Sequence, residues 1–522
     1  MRSNLLALLT SGGVPPDWST LLLTILLTPA VAVGLVTLTR TRRYAEAVTV
    51  ASVLLVVVQT LALVAGVILD GQFSALGGFL YLDAFGALIL IPIAAVGFVA
   101  ALYSVSYMGL QFERGVVDDK HIARYYQGFN SFVLTMLLVP LANNMGLMWV
   151  AIEATTLVSV FLIMLYTNQG AIEAAWKYLM VATVGLSLAL FGIVLFSYSN
   201  TSISPAVASS GSGLDWTSMA ADARLLDPGI VKIAFVFVLV GLGTKAGLAP
   251  MHTWLPDAHG EAPTPVSALL SGVLLNCAIY GVLRFYIIAQ GALGVALPSE
   301  LMVILGLLSM GVAAASIYFQ KDMKRMLAFS SVEHMGIVSL AVGFGGFVGL
   351  FAGLLHIINH AVAKPLMFFA SGTVSQRYET KVMKEIKGVI KTMPITGAFM
   401  LVGGLAVAGM PPFNIFLSEF LVTTSGFGGG QFFAASLMIL LLVVVFAGFL
   451  RHLVPMIFGS AKGPGISVAA DVRSGGHEEL LAVLPMAVLV TLVVLLGFYL
   501  PQPLQTLIRD AVQVFGQGAP AR

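Results

Sequence analysis

FVFVLVGLGTKAGLAPMHTWLPDA, residues 235–258, opens on six apolar residues and then sets a lysine among breakers. Gly241, Gly243, Gly247 and Pro250 surround Lys245. Glycine and proline interrupt a helix and free backbone carbonyls, which then need protein or water as partners. A lysine in such a place loses hydration, which favours the neutral amine and makes it a proton acceptor rather than a fixed charge. An apolar helix broken around a charge belongs in a membrane.

The rest of the chain agrees. Of 522 residues, 58% are hydrophobic and 10% charged, whereas a soluble domain carries about 25% charged residues. Roughly 300 apolar residues suffice for about fourteen or fifteen spans of ~20 residues. This excludes a soluble enzyme and a disordered chain. The runs are too long for barrel strands, so the fold class is an all-α polytopic membrane protein. Lys and Arg (26) nearly balance Asp and Glu (24), with no basic patch beyond loops, which argues against a nucleic-acid partner. The lone cysteine, Cys277, can make neither an intrachain disulfide nor a four-thiolate cluster. Redox chemistry would therefore sit in another subunit. The first ~18 residues read as an outer tail rather than a cleaved signal, because no small-residue cleavage site precedes the first long run.

About fourteen apolar runs follow one another from 19–39 to 480–504, with the least distinct boundary at Asn143–Asn144. Runs joined by so short a turn should be antiparallel neighbours. With both termini outside and spans alternating, 17 of the 26 Lys and Arg fall in inner loops and five in outer segments. That bias sets the orientation. The polar connection 199–228 then lies outside, and the basic segment 373–393 forms a strap or surface helix inside. Two pairs of fragments match: AAWKYLM with AVAKPLM, and GLAPMHTWLP with GMPPFNIFLS. They suggest a duplication, with a three-helix segment 1–124, one unit at 125–290, a second at 298–458, and a last helix and tail at 459–522. Five helices per unit is odd, so the second unit would be inverted, as in many transporters.

Four cations remain inside spans: Lys177, Lys245, Arg284 and Lys364. An ionisable group at mid-bilayer costs about 2.5–3.5 kcal/mol on insertion scales and marks ion paths when it persists. Arg284 stands near the outer third of its helix and can snorkel. Lys177 lies four residues after Glu173 and could pair along the helix. Glu153 is flanked by apolar residues on both sides. Glu333 and His334 are adjacent and can face different partners. His356, His360 and Lys364 recur every fourth residue, which stacks them on one helix face over about 12 Å. Two histidines at that spacing can bind zinc, but no further ligand is evident. A proton relay suits them better, since histidine titrates near neutral pH. Pro365 should distort the helix at Lys364. Glu419 follows the paired prolines 411–412, which predict a second broken helix. Asp83, Asp257, His259 and Glu261 stand near span ends and read as loop or gate residues. Alternating amines and carboxyls couple, because a proton added to one changes the affinity of the next.

The run GLGTKAGLAPMHTWLPDAHGEAPTPVSALLSGVLLNCAIYGVLRF (241–285), with KDMKRMLAFSSVEHMG (321–336) and AGMPPFNIFLSEF (408–420), resembles the antiporter-like subunits of respiratory complex I, Mrp-type antiporters and membrane-bound hydrogenases. EAAWKYL, SSVEHMG and LLNCAIYG are most similar to the hydrogenase-4 component F group. The resemblance implies fourteen helices in two inverted five-helix bundles, each with a broken helix. It implies proton translocation driven by redox chemistry elsewhere. Glu153 would be the acidic partner of the first half-channel, Lys245 its broken-helix lysine, and Lys177 the lysine between them. His356, His360 and Lys364 would form the central relay and Glu419 the terminal acid. Several relatives carry a lysine or histidine on the helix that here holds Ser271 and Asn276, neither of which titrates. Water, or Glu333 and His334, would then link the halves. No cofactor is expected in this chain. Nickel–iron and iron–sulfur centres or a quinone would belong to partners: other membrane subunits and a peripheral redox arm, with lipid around them. The location would be a bacterial-type cytoplasmic membrane. An Mrp-type Na⁺/H⁺ antiporter subunit and a non-pumping scaffold are the rival readings.

Overall fold

The computed structural model describes residues 17–38, 41–203, 205–460 and 478–516. The expected outer tail before residue 17 and much of the segment joining the last two long helices lie outside them. The chain is an integral membrane protein built of helices. In order these are α1 (Trp18–Leu38), α2 (Arg42–Asp70), α3 (Ala84–Glu113), α4 (Asp119–Leu141), α5 (Met145–Ile163) and α6 (Gln169–Thr201). Next come α7 (Pro228–Ala246), α8 (Leu255–Glu261), α9 (Thr264–Leu293), α10 (Ala296–Phe319), α11 (Met323–Phe344) and α12 (Gly346–Tyr378). The last are α13 (Pro394–Val407), α14 (Asn414–Gly428), α15 (Phe432–Phe458), α16 (Leu480–Phe498) and α17 (Gln502–Gly516). Among the described residues, twelve helices are long and apolar enough to cross a membrane, taking α7 and α8 together as one. Two further sequence runs fall on α4, which is less apolar, and on the short pair α13 and α14.

Burial sorts these helices. The most apolar window of α9 is buried throughout, and that of α11 is 94% buried. Both stand at the centre. The same measure is 28% for α1 and 33% for α15 and α16, so these helices form the rim. Exposed apolar side chains such as Leu38, Phe433 and Leu440 face outward there, as lipid contact allows.

The sequence expected helix from residue 79. Residues 73–82 instead form a two-stranded antiparallel hairpin, β1 (Phe73–Ala75) with β2 (Leu80–Leu82), and Asp83 caps α3 by accepting from the Gly86 N–H at 2.8 Å. The hairpin pins the Asn143–Asn144 turn. Asn143 donates to the Phe79 and Gly78 carbonyls, and its own carbonyl accepts from the Trp216 N–H. Asn144 caps α5 through the Leu147 N–H. The connection 199–228 holds short helical turns rather than open loop.

Arg284 does not snorkel. It is buried and grips Asp83 with two hydrogen bonds of 2.6 and 2.7 Å, its guanidinium 4.1 Å from the Trp216 ring. A fork-to-fork pair of this kind ties α3, α9 and the 212–226 connection together. Pro365 does not break α12, which runs through it. Proline is tolerated inside a packed membrane helix when neighbours close around the freed carbonyl. Here α9 comes in at Gly272, where an added Cβ would lie 3.0 Å from the Pro365 ring and 3.5 Å from the Ala361 carbonyl that Pro365 leaves unbonded. The basic strap is irregular: Lys381 and Met383 pair with Met323 and Lys321 at the start of α11. Beyond the last long helix, α17 is an amphipathic helix that the apolar runs did not announce. It buries Leu507, Ile508, Ala511 and Phe515 against α3.

Candidate functional site

Two helix breaks organise the interior. The first lies between α7 and α8. Gly247 adopts φ +78°, and the Leu248 N–H returns to the Gly243 carbonyl. The Trp254 indole donates to the Thr244 carbonyl at 2.8 Å, and the Ala249 N–H donates to Ser309 on α10. Polar groups freed by the break are thus met by side chains. Lys245 sits in the last turn before it, fully buried. Its ammonium donates to Thr156 Oγ1 at 2.6 Å and to the Tyr178 hydroxyl at 2.5 Å, and lies 4.7 Å from the Tyr178 ring centre. Tyr178 is held in turn by Ser159 at 2.9 Å. Glu153 is half-buried one turn from Thr156. One of its carboxylate oxygens accepts from Thr183, and the other is buried without a partner.

The second break lies between α13 and α14. Gly409 adopts φ +70°, and a Cβ there would collide with the Glu419 carboxylate. Glycine is required both for the turn and for the approach of the acid. Glu419 is 5% exposed, and one of its oxygens is buried without a partner. Beside it lies a mostly apolar cavity of about 410 Å³ between α14 and α15.

Between the breaks lies a dense polar cluster. Lys364 is fully buried and donates to Ser330 Oγ and to the Leu327 carbonyl, both on α11. Glu333, one turn on from Ser330, is 1% exposed, and one carboxylate oxygen has no partner. His334 Nδ1 stands 3.0 Å from His356 Nε2, and His356 Nδ1 stands 2.9 Å from Ser418 Oγ. The His360 ring centre is 5.2 Å from that of His334, and both of its nitrogens are buried without a partner. Asn359 on α12 and Asn414 at the start of α14 bond one another beside the second break. Among the described residues, no group of three or more His, Cys, Asp and Glu is arranged to hold a metal ion.

The halves meet at α9. Residues Leu270–Leu274 form a π-turn, a feature that recurs at functional sites. It carries Ser271, whose hydroxyl bonds Ser331 on α11 at 2.7 Å. Ser331 is two residues from Glu333, so hydroxyls occupy the place where a titrating link was looked for.

Lys177 is not beside Lys245. Its side chain is 43% exposed and pairs with Asp257 at 2.5 Å, whose other oxygen pairs with Arg325 at 2.8 Å. The neighbouring residue, Tyr178, faces Lys245 instead. On the same face as Lys177, Lys324 is buried and donates to the Ala262 carbonyl, while Lys381 reaches Gly260 and Glu261. These cations meet carbonyls at the end of α8, where the helix dipole favours positive charge. His259, read as a gate residue, is fully buried; its Nδ1 bonds the Leu255 carbonyl and its Nε2 has no partner.

The residues missed from sequence are Thr156, Tyr178, Ser330, Asn359, Asn414 and Ser418. A signal was present. Thr156 and Ser330 each stand three residues from a membrane carboxylate, and Ser418 adjoins Glu419.

The family model "NADH:quinone oxidoreductase/Mrp antiporter, TM" matches residues 142–447, more than half of the chain and the whole stretch from Glu153 to Glu419. The chain belongs to this family. Among curated relatives, the hydrogenase-4 component F homolog of Methylacidiphilum infernorum (isolate V4) is 37% identical over 425 residues, covering 81% of this chain and 86% of that protein. Among solved structures, a chain of the Mrp complex from Dietzia sp. DQ12-45-1b is similar over 95% of this chain and 97% of its own, with a TM-score of 0.80 at 20% identity. A chain of an archaeal membrane-bound sulfane sulfur reductase has a TM-score of 0.79 at 24% identity, with coverage of 95% and 97%. The protein is thus an antiporter-like membrane subunit of the hydrogenase, complex I and Mrp superfamily, with buried lysine, glutamate and histidine along its interior.

Proposed function

We propose that this subunit moves protons through two linked half-channels, driven by redox chemistry in partner subunits of a hydrogenase-4-like or complex I-like assembly. One observation carries the reading. Lys245 and Lys364 are fully buried among membrane helices, and neither ammonium touches a carboxylate. A structural buried lysine is paired, because an unpaired charge in such a place is costly. An amine held only by hydroxyls and a carbonyl can exist with or without its extra proton, as a carrier must.

The first half-channel would use Glu153, Thr156, Tyr178 and Lys245. The second would use Glu333, Lys364, the three histidines and Glu419. Buried polar atoms without partners on Glu153, Glu333, His360 and Glu419 mark where water would complete the path. Lys177, with Asp257 and Arg325, would serve the inner face. The orientation with both termini outside, the five-helix units at 125–290 and 298–458, and partners bearing nickel–iron, iron–sulfur or quinone centres belong to the same proposal. A proton crossing 100 mV costs about 2.3 kcal/mol, so the energy comes from outside the chain. Sodium transport would call for clustered oxygen ligands; amines and imidazoles line this path.

The test is proton uptake by inverted vesicles that hold the intact assembly, with Lys245→Ala and Glu153→Gln. Both should lower redox-driven uptake at least about tenfold. Unchanged uptake in both would leave a scaffold. Uptake that needs sodium and no redox substrate would favour the Mrp-type reading.

A further inference from the structure

A cleft of about 500 Å³ opens between α1, α4 and α5, by the start of α4 and the end of α5. Clefts of this size take small ligands when a few polar groups converge on mostly apolar walls. Val33 on α1 and Val158, Phe161 and Leu165 on the α5 side are its apolar walls, and Phe161 is 70% exposed. Gly128 lets α5 close on α4, since a Cβ there would lie 2.8 Å from Leu162.

The α4 wall is different. It brings Arg124, Gln127 and Ser131 to the cleft, at spacings of three and four residues. That spacing lines them along one helix face. None of the three side chains has a hydrogen-bond or ion-pair partner among the described residues. Serine inside a helix often bonds the carbonyl one turn back; Ser104 and Ser159 do so, and Ser131 does not. Polar groups without partners beside hydrocarbon are costly, so the wall calls for an occupant with polar groups of its own. The acids at the start of α4 are engaged, Asp118 with His121 and Asp119 with the Arg42 N–H. Arg124 can only donate, and the Gln127 amide and Ser131 hydroxyl both have protons to give. The wall therefore suits three acceptors in a row, the first of them anionic. At 1.5 Å per residue, Gln127 lies about 4.5 Å and Ser131 about 10 Å beyond Arg124 along α4.

A glycerophospholipid has its acceptors in that order: phosphate at the surface, ester carbonyls beneath it, acyl chains below. A partner helix does not, because its carbonyls are spent on its own backbone. Basic pockets between membrane helices on the inner side bind acidic head groups. We infer that this cleft holds an anionic phospholipid of the inner leaflet, with its phosphate on Arg124, its ester carbonyls on Gln127 and Ser131, and an acyl chain against Val158 and Phe161. The choice of leaflet rests on the proposed orientation, with both termini outside. The match of donors to acceptors does not depend on it.

The experiment places the intact complex in phosphatidylcholine nanodiscs with a trace of phosphatidylglycerol that carries a photoreactive diazirine in one acyl chain. After irradiation, mass spectrometry maps the label. It should concentrate on residues 158–165, above the level at lipid-facing Phe433, and unlabelled phosphatidylglycerol should displace it where added phosphatidylcholine does not. Arg124→Gln should lower labelling here about fivefold, and Arg124→Lys should retain most of it. Gln127→Leu with Ser131→Ala should lower it about fivefold or more. Val158→Trp, which fills the cleft, should remove it here and leave Phe433 labelled, which shows that the complex is intact. Labelling that ignores Arg124→Gln, or that phosphatidylcholine displaces equally, would mean ordinary boundary lipid and overturn the inference. So would label at Phe433 with none in the cleft, the mark of a partner subunit seated there. Lys120→Cys should react with an impermeant maleimide only from the inner face. Reaction only from the outer face would overturn the leaflet and the proposed orientation together, while the site itself would stand on the labelling.

Discussion

The two halves of the site solve one problem differently. Around the first break a single lysine is held by two hydroxyls, with a half-buried acid one turn from one of them, Thr156. Around the second, a lysine, three histidines and two buried acids share one space, and an amide pair ties α12 to the start of α14. The parallel is close on the supporting helices: Lys245 bonds Thr156 three residues after Glu153, and Lys364 bonds Ser330 three residues before Glu333. A hydroxyl one turn from an acid is a shared device, set after the acid on α5 and before it on α11. The difference lies in number. The first half has one place for a proton deep in the membrane, whereas the second has several in mutual contact.

That difference predicts unequal tolerance. Lys245→Ala should cost the most, at least about tenfold in redox-driven uptake, because Thr156 and Tyr178 then hold no amine between them. His360→Ala should cost only a few-fold, since the His334–His356 pair makes its hydrogen bonds without it. Equal losses in vesicle assays would erase the contrast between a single carrier and a shared one.

The breaks themselves come next. Gly247→Ala and Gly409→Ala each force a side chain into left-handed backbone, at about 1–2 kcal/mol. At Gly247 the new Cβ meets the tip of Leu255, which can swing aside; at Gly409 it meets the Glu419 carboxylate. Thermal unfolding of the complex should therefore show the larger loss for Gly409→Ala, and only this variant should also disturb the protonation of Glu419. A larger loss at Gly247 would mean that the first break is the more tightly built.

Much of this was legible in the sequence, for physical reasons. Breakers around Lys245 and before Glu419 announce interrupted helices because glycine and proline act locally. The i, i+4, i+8 spacing placed His356, His360 and Lys364 on one face because helix geometry is fixed. Partners were not legible. Arg284 looked able to reach the surface, since nothing in the chain says that Asp83, 201 residues away, comes to meet it. Pro365 reads from the sequence as a distortion of α12, and the glycine that packs on it belongs to another helix. The resemblance sets Lys177 between Glu153 and Lys245, but helix rotation, which a mostly apolar helix conceals, turns Tyr178 inward instead.

Lys177 offers the smallest and most discriminating comparison. If it belonged with Lys245, Lys177→Ala would impair transport as severely as Lys245→Ala. Its ammonium is 43% exposed, and its partner Asp257 is also held by Arg325. Exposed pairs contribute about 0–1 kcal/mol, and Asp257 keeps a cation when Lys177 is removed. Lys177→Ala should therefore leave stability almost unchanged and lower uptake less than about twofold. Asp257→Ala should do more, because it leaves two cations facing one another where α6 and α8 meet the start of α11. Should Lys177→Ala alone stop uptake, the Lys177–Asp257–Arg325 triad would be the inner mouth of the first half-channel, and that half would hold two essential lysines rather than one.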